Sequence, residues 1–509
     1  MSGDGAHARS QLSEQAGAYG ELVSRYRQIH RLEHARAIVS WDQAAKMPPK
    51  GNDARGAALA ELATLLHGLR TAPVLAAALD SAEQTALADE ERANVREMRR
   101  DWLSANALPA ALVERRELAI ARCEHAWRSQ RPANDWAGFL ENFRSLLALV
   151  REQAARLADR TGLAPYDALI DQFEPGMTAA AIESIFSDLG TWLPGLIRDV
   201  RARQQHQPII LPRGPFPVAG QRALCERVMS ALGFDFGAGR LDVSAHPFCG
   251  GVPEDVRITT RFSADDFLRS LMGTIHETGH ARYEQNLPRA WLGQPVALAR
   301  SMAIHESQSL SFEMQLGRHR GFVAWLAPLI EDTFGADPAF APQNLHRLIT
   351  RVQPDRIRVD ADEVTYPAHI VLRFEIERAL IEQNLPPEEI PALWDRHMAQ
   401  WLDVDTRGDY RDGPLQDVHW PSGLFGYFPC YSLGAMYAAQ WFAAIRSRHA
   451  DLDQRIAAGD FAVVFDRLKA QVWDVGSRYP TAELCTRASG RVLDPGFFRA
   501  HLTARYLND

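Results

Sequence analysis

One stretch constrains this chain more than any other: Gly273-Thr274-Ile275-His276-Glu277-Thr278-Gly279-His280. Two histidines stand four residues apart, with a glutamate directly after the first. On an α-helix, residues four apart share a face one turn along. The two imidazoles can then grip one metal ion while Glu277 points to where a bound water would sit. This is the H-E-x-x-H arrangement of zinc peptidases. The surroundings support a helix. Ser263-Ala264-Asp265-Asp266 reads as a helix start, Phe267, Leu268, Leu271 and Ile275 supply an apolar face, and Pro288 marks an end.

A catalytic zinc takes three protein ligands and keeps one position open. Glu284 shares the helix face but lies eight residues from His276, about 12 Å along the axis at 1.5 Å per residue. One ion with ligand distances near 2 Å cannot touch both. The third ligand must therefore come from another segment. The metzincin form requires Gly and His three and six residues past the second histidine. Tyr283 and Asn286 stand there instead. A glutamate from a following helix is the other form, and Glu306 in Ala303-Ile304-His305-Glu306-Ser307-Gln308-Ser309 offers one, with His305 and Glu313 as rivals. Glu284, Ser309 and Asp417 are possible acceptors for the second ring nitrogens of the ligand histidines.

The 509 residues carry 46% hydrophobic and 24% charged side chains, enough for a large buried core. A formal charge of −8 argues against a general nucleic-acid binder. No apolar run is long enough to span a bilayer. The five cysteines are scattered and lack a C-x-x-C pair, which fits a reducing compartment. The expectation is a cytoplasmic protein with no membrane or nucleic-acid partner.

Helical periodicity runs from about Glu14 and recurs at 80–106, 108–128, 135–160 and 178–205. The Pro- and Gly-rich stretch 207–220 reads as a connector and a soft boundary between two lobes of one catalytic unit, 1–509, whose motifs fall in 246–431. After a helix near 220–232, Gly250-Gly251 opens a loop and 255–260 alternates apolar and polar, the mark of a half-exposed strand. Helices are expected again at 296–320, 343–352, 364–383, 389–403, 432–447 and 459–472, with a loop over 408–429.

Further stretches join the metal motif. They are Trp41-Asp42-Gln43, Met47-Pro48-Pro49, His246-Pro247-Phe248, Asp255-Val256-Arg257-Ile258-Thr259, Ile357-Arg358-Val359-Asp360-Ala361-Asp362-Glu363, Gly413-Pro414-Leu415-Gln416-Asp417-Val418-His419-Trp420 and Gly476-Ser477-Arg478-Tyr479. Together with His276–His280 and His305-Glu306-Ser307-Gln308, and in this order, they resemble the carboxypeptidase Taq family of metallocarboxypeptidases, peptidase family M32. The resemblance covers nearly the whole chain. It implies a mainly helical fold with a deep groove, similar to neurolysin and angiotensin-converting enzyme, and a small β element beside the H-E-x-x-H helix. It implies one zinc or cobalt ion per chain, a homodimer, and release of single residues from peptides with a free C-terminus. The ligands correspond to His276, His280 and Glu306, and the general base to Glu277. Related helical peptidases use a His and a Tyr from a comparable loop, which points to His419 and Tyr427 for the oxyanion, with Tyr431 beside them as a substrate-binding residue. Arg358 is favoured for the substrate carboxylate, with Arg257 as co-candidate, and His246 lines the groove.

Overall fold

Long amphipathic helices build most of this molecule, and the sequence states their ends. Trp136–Thr161 shows how. Asp135 caps it by accepting from Gly138 N at 2.8 Å, and Gly162 closes it in the left-handed region at φ 75°. Trp136, Phe139, Phe143, Leu146, Leu147, Val150 and Leu157 recur at helical spacing and are buried. The computed structural model describes residues 4–244 and 247–508.

Among the described residues, two apolar clusters result. The larger draws on residues from Ala119 to Tyr506, and includes Val200 before the Pro-rich connector and Leu224 after it. The smaller is built by the front helices, with Leu22, Tyr26, Ile29, Leu75, Leu79 and Met98 inside. Buried polar contacts join the two parts. Arg300 donates to both oxygens of Glu97 at 2.8 and 3.0 Å, and Asn94 donates to Gln294 at 3.0 Å.

The sheet is larger than the single expected strand. β1 (Gly239–Val243) pairs in parallel with β3 (Asp255–Thr260), and β2 (Phe248–Val252) pairs antiparallel with β3 on its other side. Gly250 and Gly251 lie within β2 rather than opening a loop, opposite Arg257 and Val256. At Gly251, with φ 102°, a Cβ would meet Asp255 O at 2.0 Å, so only glycine permits the return towards β3. Periodicity alone cannot distinguish that tight return from a loop.

Two helical expectations also need correction. The stretch 80–106 is two helices, Pro73–Glu83 and Asp89–Ala107, because Glu91 turns back to accept from Ala88 N and starts a new one. The stretch 296–320 becomes Met302–Leu310, capped by Ser301, followed by a π-helical turn over Ser311–Gly317. The helices Arg320–Phe334, Thr481–Ser489 and Gly496–Thr503 are additional.

Candidate metal centre

The helix Phe267–Gln285 starts at Asp266, whose carboxylate accepts from Arg269 N at 3.1 Å. It buries Phe267, Leu271, Thr274, Ile275 and Thr278, and places His276 and His280 one turn apart beside that face. Two glycines then bring in the third group. At Gly279 a Cβ would come within 2.6 Å of Gln308 O and Ser309 Cα, so the helix Met302–Leu310 packs directly on its backbone. At Gly434, on the helix Pro429–Arg446, a Cβ would come within 2.7 Å of Glu306 Cβ and Cγ. Glu306 is thus seated between two helices. One donor atom from each of His276, His280 and Glu306 falls within 4.8 Å of the others. His276 Nε2 is 3.9 Å from Glu306 Oε1, and His280 Nε2 is 3.4 Å from Glu306 Oε2.

The groups behind these side chains fit a cation. Glu313, a rival ligand in sequence, instead accepts from His276 Nδ1 at 3.0 Å and is itself held by Arg318 at 2.6 Å. His305, the other rival, lies 2.6 Å from His280 Nδ1 through its own Nδ1, and its Nε2 reaches Glu284 at 2.8 Å. If Glu284 accepts from His305 Nε2–H, His305 Nδ1 must accept from His280 Nδ1–H. With an ion bound, both ligand rings would keep their proton on Nδ1 and turn an Nε2 lone pair inward. Of the acceptors expected from sequence, Glu284 acts one bond further out. Ser309 donates to Glu306 O at 2.7 Å, and Asp417 lies in a separate arginine cluster.

The charges agree. Burial pushes the Glu277 carboxyl up to about 7, with Glu306 and Glu313 adding to the rise. Burial holds His280 down at about 4, so its ring is neutral. Burial would also lower His276, but the bond to Glu313 and the charges of Glu306 and Glu277 overcome it and raise the ring to about 10. With no ion beside it, the raised His276 ring carries a positive charge among the carboxylates of Glu277, Glu306 and Glu313; a divalent ion would take over that charge and release the ring's Nε2 proton.

A second group of side chains comes from the loop before Pro429. His419 Nε2 lies 3.0 Å from Tyr431 Oη, and its ring is 5.6 Å from that of Tyr427. Burial lowers His419 to about 3, so it stays neutral. Phe173 meets Tyr427 edge-on at 5.1 Å. Arg358 is buried and donates through Nε and Nη2 to Asp417 at 3.0 and 2.8 Å, with its guanidinium 4.8 Å from the Tyr431 ring centre. Arg373 donates to the other Asp417 oxygen at 2.7 Å. Arg257 grips Asp255 with two bonds, at 2.9 and 2.8 Å, and lies over Trp41. His246 lies outside the described residues.

Sequence reasoning passed over Gly279 and Gly434. The signal was present at Gly279, since a glycine within a helix that must be rigid points to a close neighbour. It also missed Glu377, which accepts from Trp420 Nε1 and Gly426 N at the two ends of the His419 loop.

The comparisons agree with this geometry. The carboxypeptidase Taq (M32) metallopeptidase family profile matches residues 21–506. Thermostable carboxypeptidase 1 of Thermus thermophilus is 38% identical over 501 residues, covering 96% of this chain and 98% of its own length. The solved structure of Trypanosoma cruzi metallocarboxypeptidase 1 superposes with a TM-score of 0.94 at 45% identity, over 96% of this chain and 99% of that one. A Pyrococcus furiosus carboxypeptidase superposes at 0.92 with 30% identity, over 96% and 99%. A chain matched from end to end by sequence and by shape, with a donor set suited to a divalent ion, belongs to the carboxypeptidase Taq (M32) family of metallopeptidases and is a metallocarboxypeptidase.

Proposed function

We propose that this enzyme removes single amino acids from the free C-terminus of peptides, with broad specificity, as one catalytic unit spanning 1–509. The observation that carries the reading is the convergence of His276, His280 and Glu306 beside a buried Glu277. One divalent ion per chain, zinc or cobalt, would be held by those three residues and supply the Lewis acid that polarises the scissile carbonyl and acidifies a water. Glu277 takes the proton from the attacking water and returns it to the departing amine nitrogen. Tyr427 and the neutral His419 donate to the developing oxyanion, and Tyr431 steadies His419.

Arg358 recognises the substrate carboxylate. Its cluster holds two guanidinium groups, Arg358 and Arg373, against the single carboxylate of Asp417, which leaves one positive charge for an incoming anion. Arg257 is already matched one to one by Asp255 and closes the groove wall. The peptide lies in a deep groove of the neurolysin and angiotensin-converting-enzyme kind, along the free edge of β2. The partner is a peptide, not nucleic acid or membrane. No single helix among the described residues is long and apolar enough to cross a membrane. The five cysteines are free, which suits the reducing cytoplasm. A homodimer is the proposed assembly, from the family resemblance.

The experiment is hydrolysis of matched short peptides with free and amidated C-termini. The free peptides should be shortened one residue at a time and the amidated ones spared. Equal cleavage of both would replace the exopeptidase reading with an endopeptidase one.

A further inference from the structure

One buried carboxylate fastens the loop that carries His419 and Tyr427. Glu377 sits on the helix Tyr366–Glu382 with no solvent exposure. Its Oε1 accepts from Trp420 Nε1 at 2.9 Å. Its Oε2 accepts from Gly426 N at 2.8 Å and from Tyr166 Oη at 2.9 Å. All three donors are neutral, and Arg373, one turn earlier, is bonded to Asp417. Burial pushes the Glu377 carboxyl up to about 7. Placing a carboxylate here is costly. The geometry gives the reason: three donors converge, two of them N–H groups that can only donate, and a carboxylate alone accepts from all three.

The two N–H donors are the inner neighbours of His419 and Tyr427. Between them the chain turns tightly, with Gly423 N donating to Trp420 O at 3.0 Å and Leu424 N to His419 O at 2.8 Å. Gly426, at φ 84°, lies against the helix Pro165–Ile170 so closely that a Cβ would be 2.7 Å from Ile170 N. Tyr166, the third donor, belongs to that same helix. One side chain thus ties both ends of the turn to each other and to the scaffold.

We propose that Glu377 is a positioning residue for hydrolysis: by holding Trp420 and Gly426 on one carboxylate, it fixes where His419 and Tyr427 stand relative to each other and to the reacting carbonyl. This rests on the assignment of His419 and Tyr427 to the oxyanion. Glu377 touches neither substrate nor metal and acts through the two residues it places.

The test uses the full-length enzyme loaded with zinc. Glu377→Gln keeps the shape but turns a donor towards at least one of the three donors. Trp420→Phe removes one donor and leaves a smaller aromatic ring in its place. Each should lower kcat roughly ten- to hundredfold, the loss expected from misplacement by about 1 Å, with KM and bound metal unchanged. Added to a His419→Ala/Tyr427→Phe background, Glu377→Gln should cost nothing further. Wild-type kcat in Glu377→Gln and Trp420→Phe, with His419→Ala and Tyr427→Phe impaired, overturns the positioning role and leaves the oxyanion assignment standing. Wild-type kcat in His419→Ala and Tyr427→Phe overturns that assignment, and this proposal with it. Loss of metal, or the same fold-loss in both backgrounds, marks Glu377 as a general structural support and overturns the proposal. Should Glu377→Gln fail to fold, Trp420→Phe decides by the same outcomes.

Discussion

His276 and His280 are alike in the motif and unlike in what stands behind them. Behind His276 is a charged acceptor, Glu313, locked by Arg318. Behind His280 is a second imidazole, His305, whose far nitrogen reaches Glu284. A carboxylate bonded to Nδ1–H makes the opposite nitrogen a stronger ligand. Glu313→Gln keeps an acceptor but loses the charge, and should weaken metal binding roughly 10–100-fold, read by competition with a chelator at fixed pH. Wild-type affinity would mean that Glu313 serves Arg318 alone. The motif spacing is local, so His276, Glu277 and His280 were legible at once. Glu306, His305 and Glu313 lie within eight residues of one another, and the sequence offered all three as ligands. What separates them is which face each turns to the histidine helix. That depends on where the helix Met302–Leu310 ends and its π-helical continuation begins, and on the approach allowed by Gly279.

At the scale of elements, three helices meet without side-chain padding. Gly279 admits the backbone of Met302–Leu310, and Gly434 admits the side chain of Glu306. Gly434→Ala would force a Cβ to within 2.7 Å of Glu306 Cβ and Cγ and 3.2 Å of Ala303 O. Overpacking of this kind costs about 1–3 kcal/mol. Here the displaced group is also a proposed ligand, so Tm and metal affinity should fall together. A lower Tm with intact metal binding would show that the helix yields and Glu306 does not. The helix carrying His276 was legible because its cap, apolar face and end are all written nearby. The sheet was only half legible. β3 alternates, but β1 gains its place only by pairing with β3 across the intervening β2, and β2 has two adjacent glycines where a side-chain pattern would be.

Across the whole molecule, the C-terminus is latched to the scaffold beside the metal site. Glu363, in the stretch after Arg358, is fully buried and accepts from Arg505 at 2.9 Å, Tyr506 at 2.9 Å and His501 at 2.6 Å. Arg505 also bonds the carbonyls of Met314 and Gln315, in the turn that presents Glu313. Burial alone would raise Glu363, but Arg505 and His501 overcome it and hold its carboxyl well below the usual range. A depressed pKa in the folded state adds stability that is complete above the unfolded value, about 4.3, and is lost as pH falls below it. Glu363→Gln should therefore cost about 3–5 kcal/mol near neutral pH, as expected for breaking a buried pair, and less as the solution is acidified past pH 5. Melting curves of both proteins across that range check the sign; a pH-independent gap would assign the loss to packing. None of this latch was visible in sequence, because its members are well over a hundred residues apart and carry no shared spacing. The overall class was visible, because the motifs recur in one order along nearly the full length.

The central claim is that Glu277 moves the proton at a site built by His276, His280 and Glu306. It is tested most directly by measuring bound metal and turnover together in Glu277→Gln. The account predicts wild-type metal content and a kcat lowered on the order of 10²–10⁴-fold, whereas Glu306→Ala, run beside it, loses the metal. Turnover near the wild-type rate in metal-loaded Glu277→Gln would contradict it.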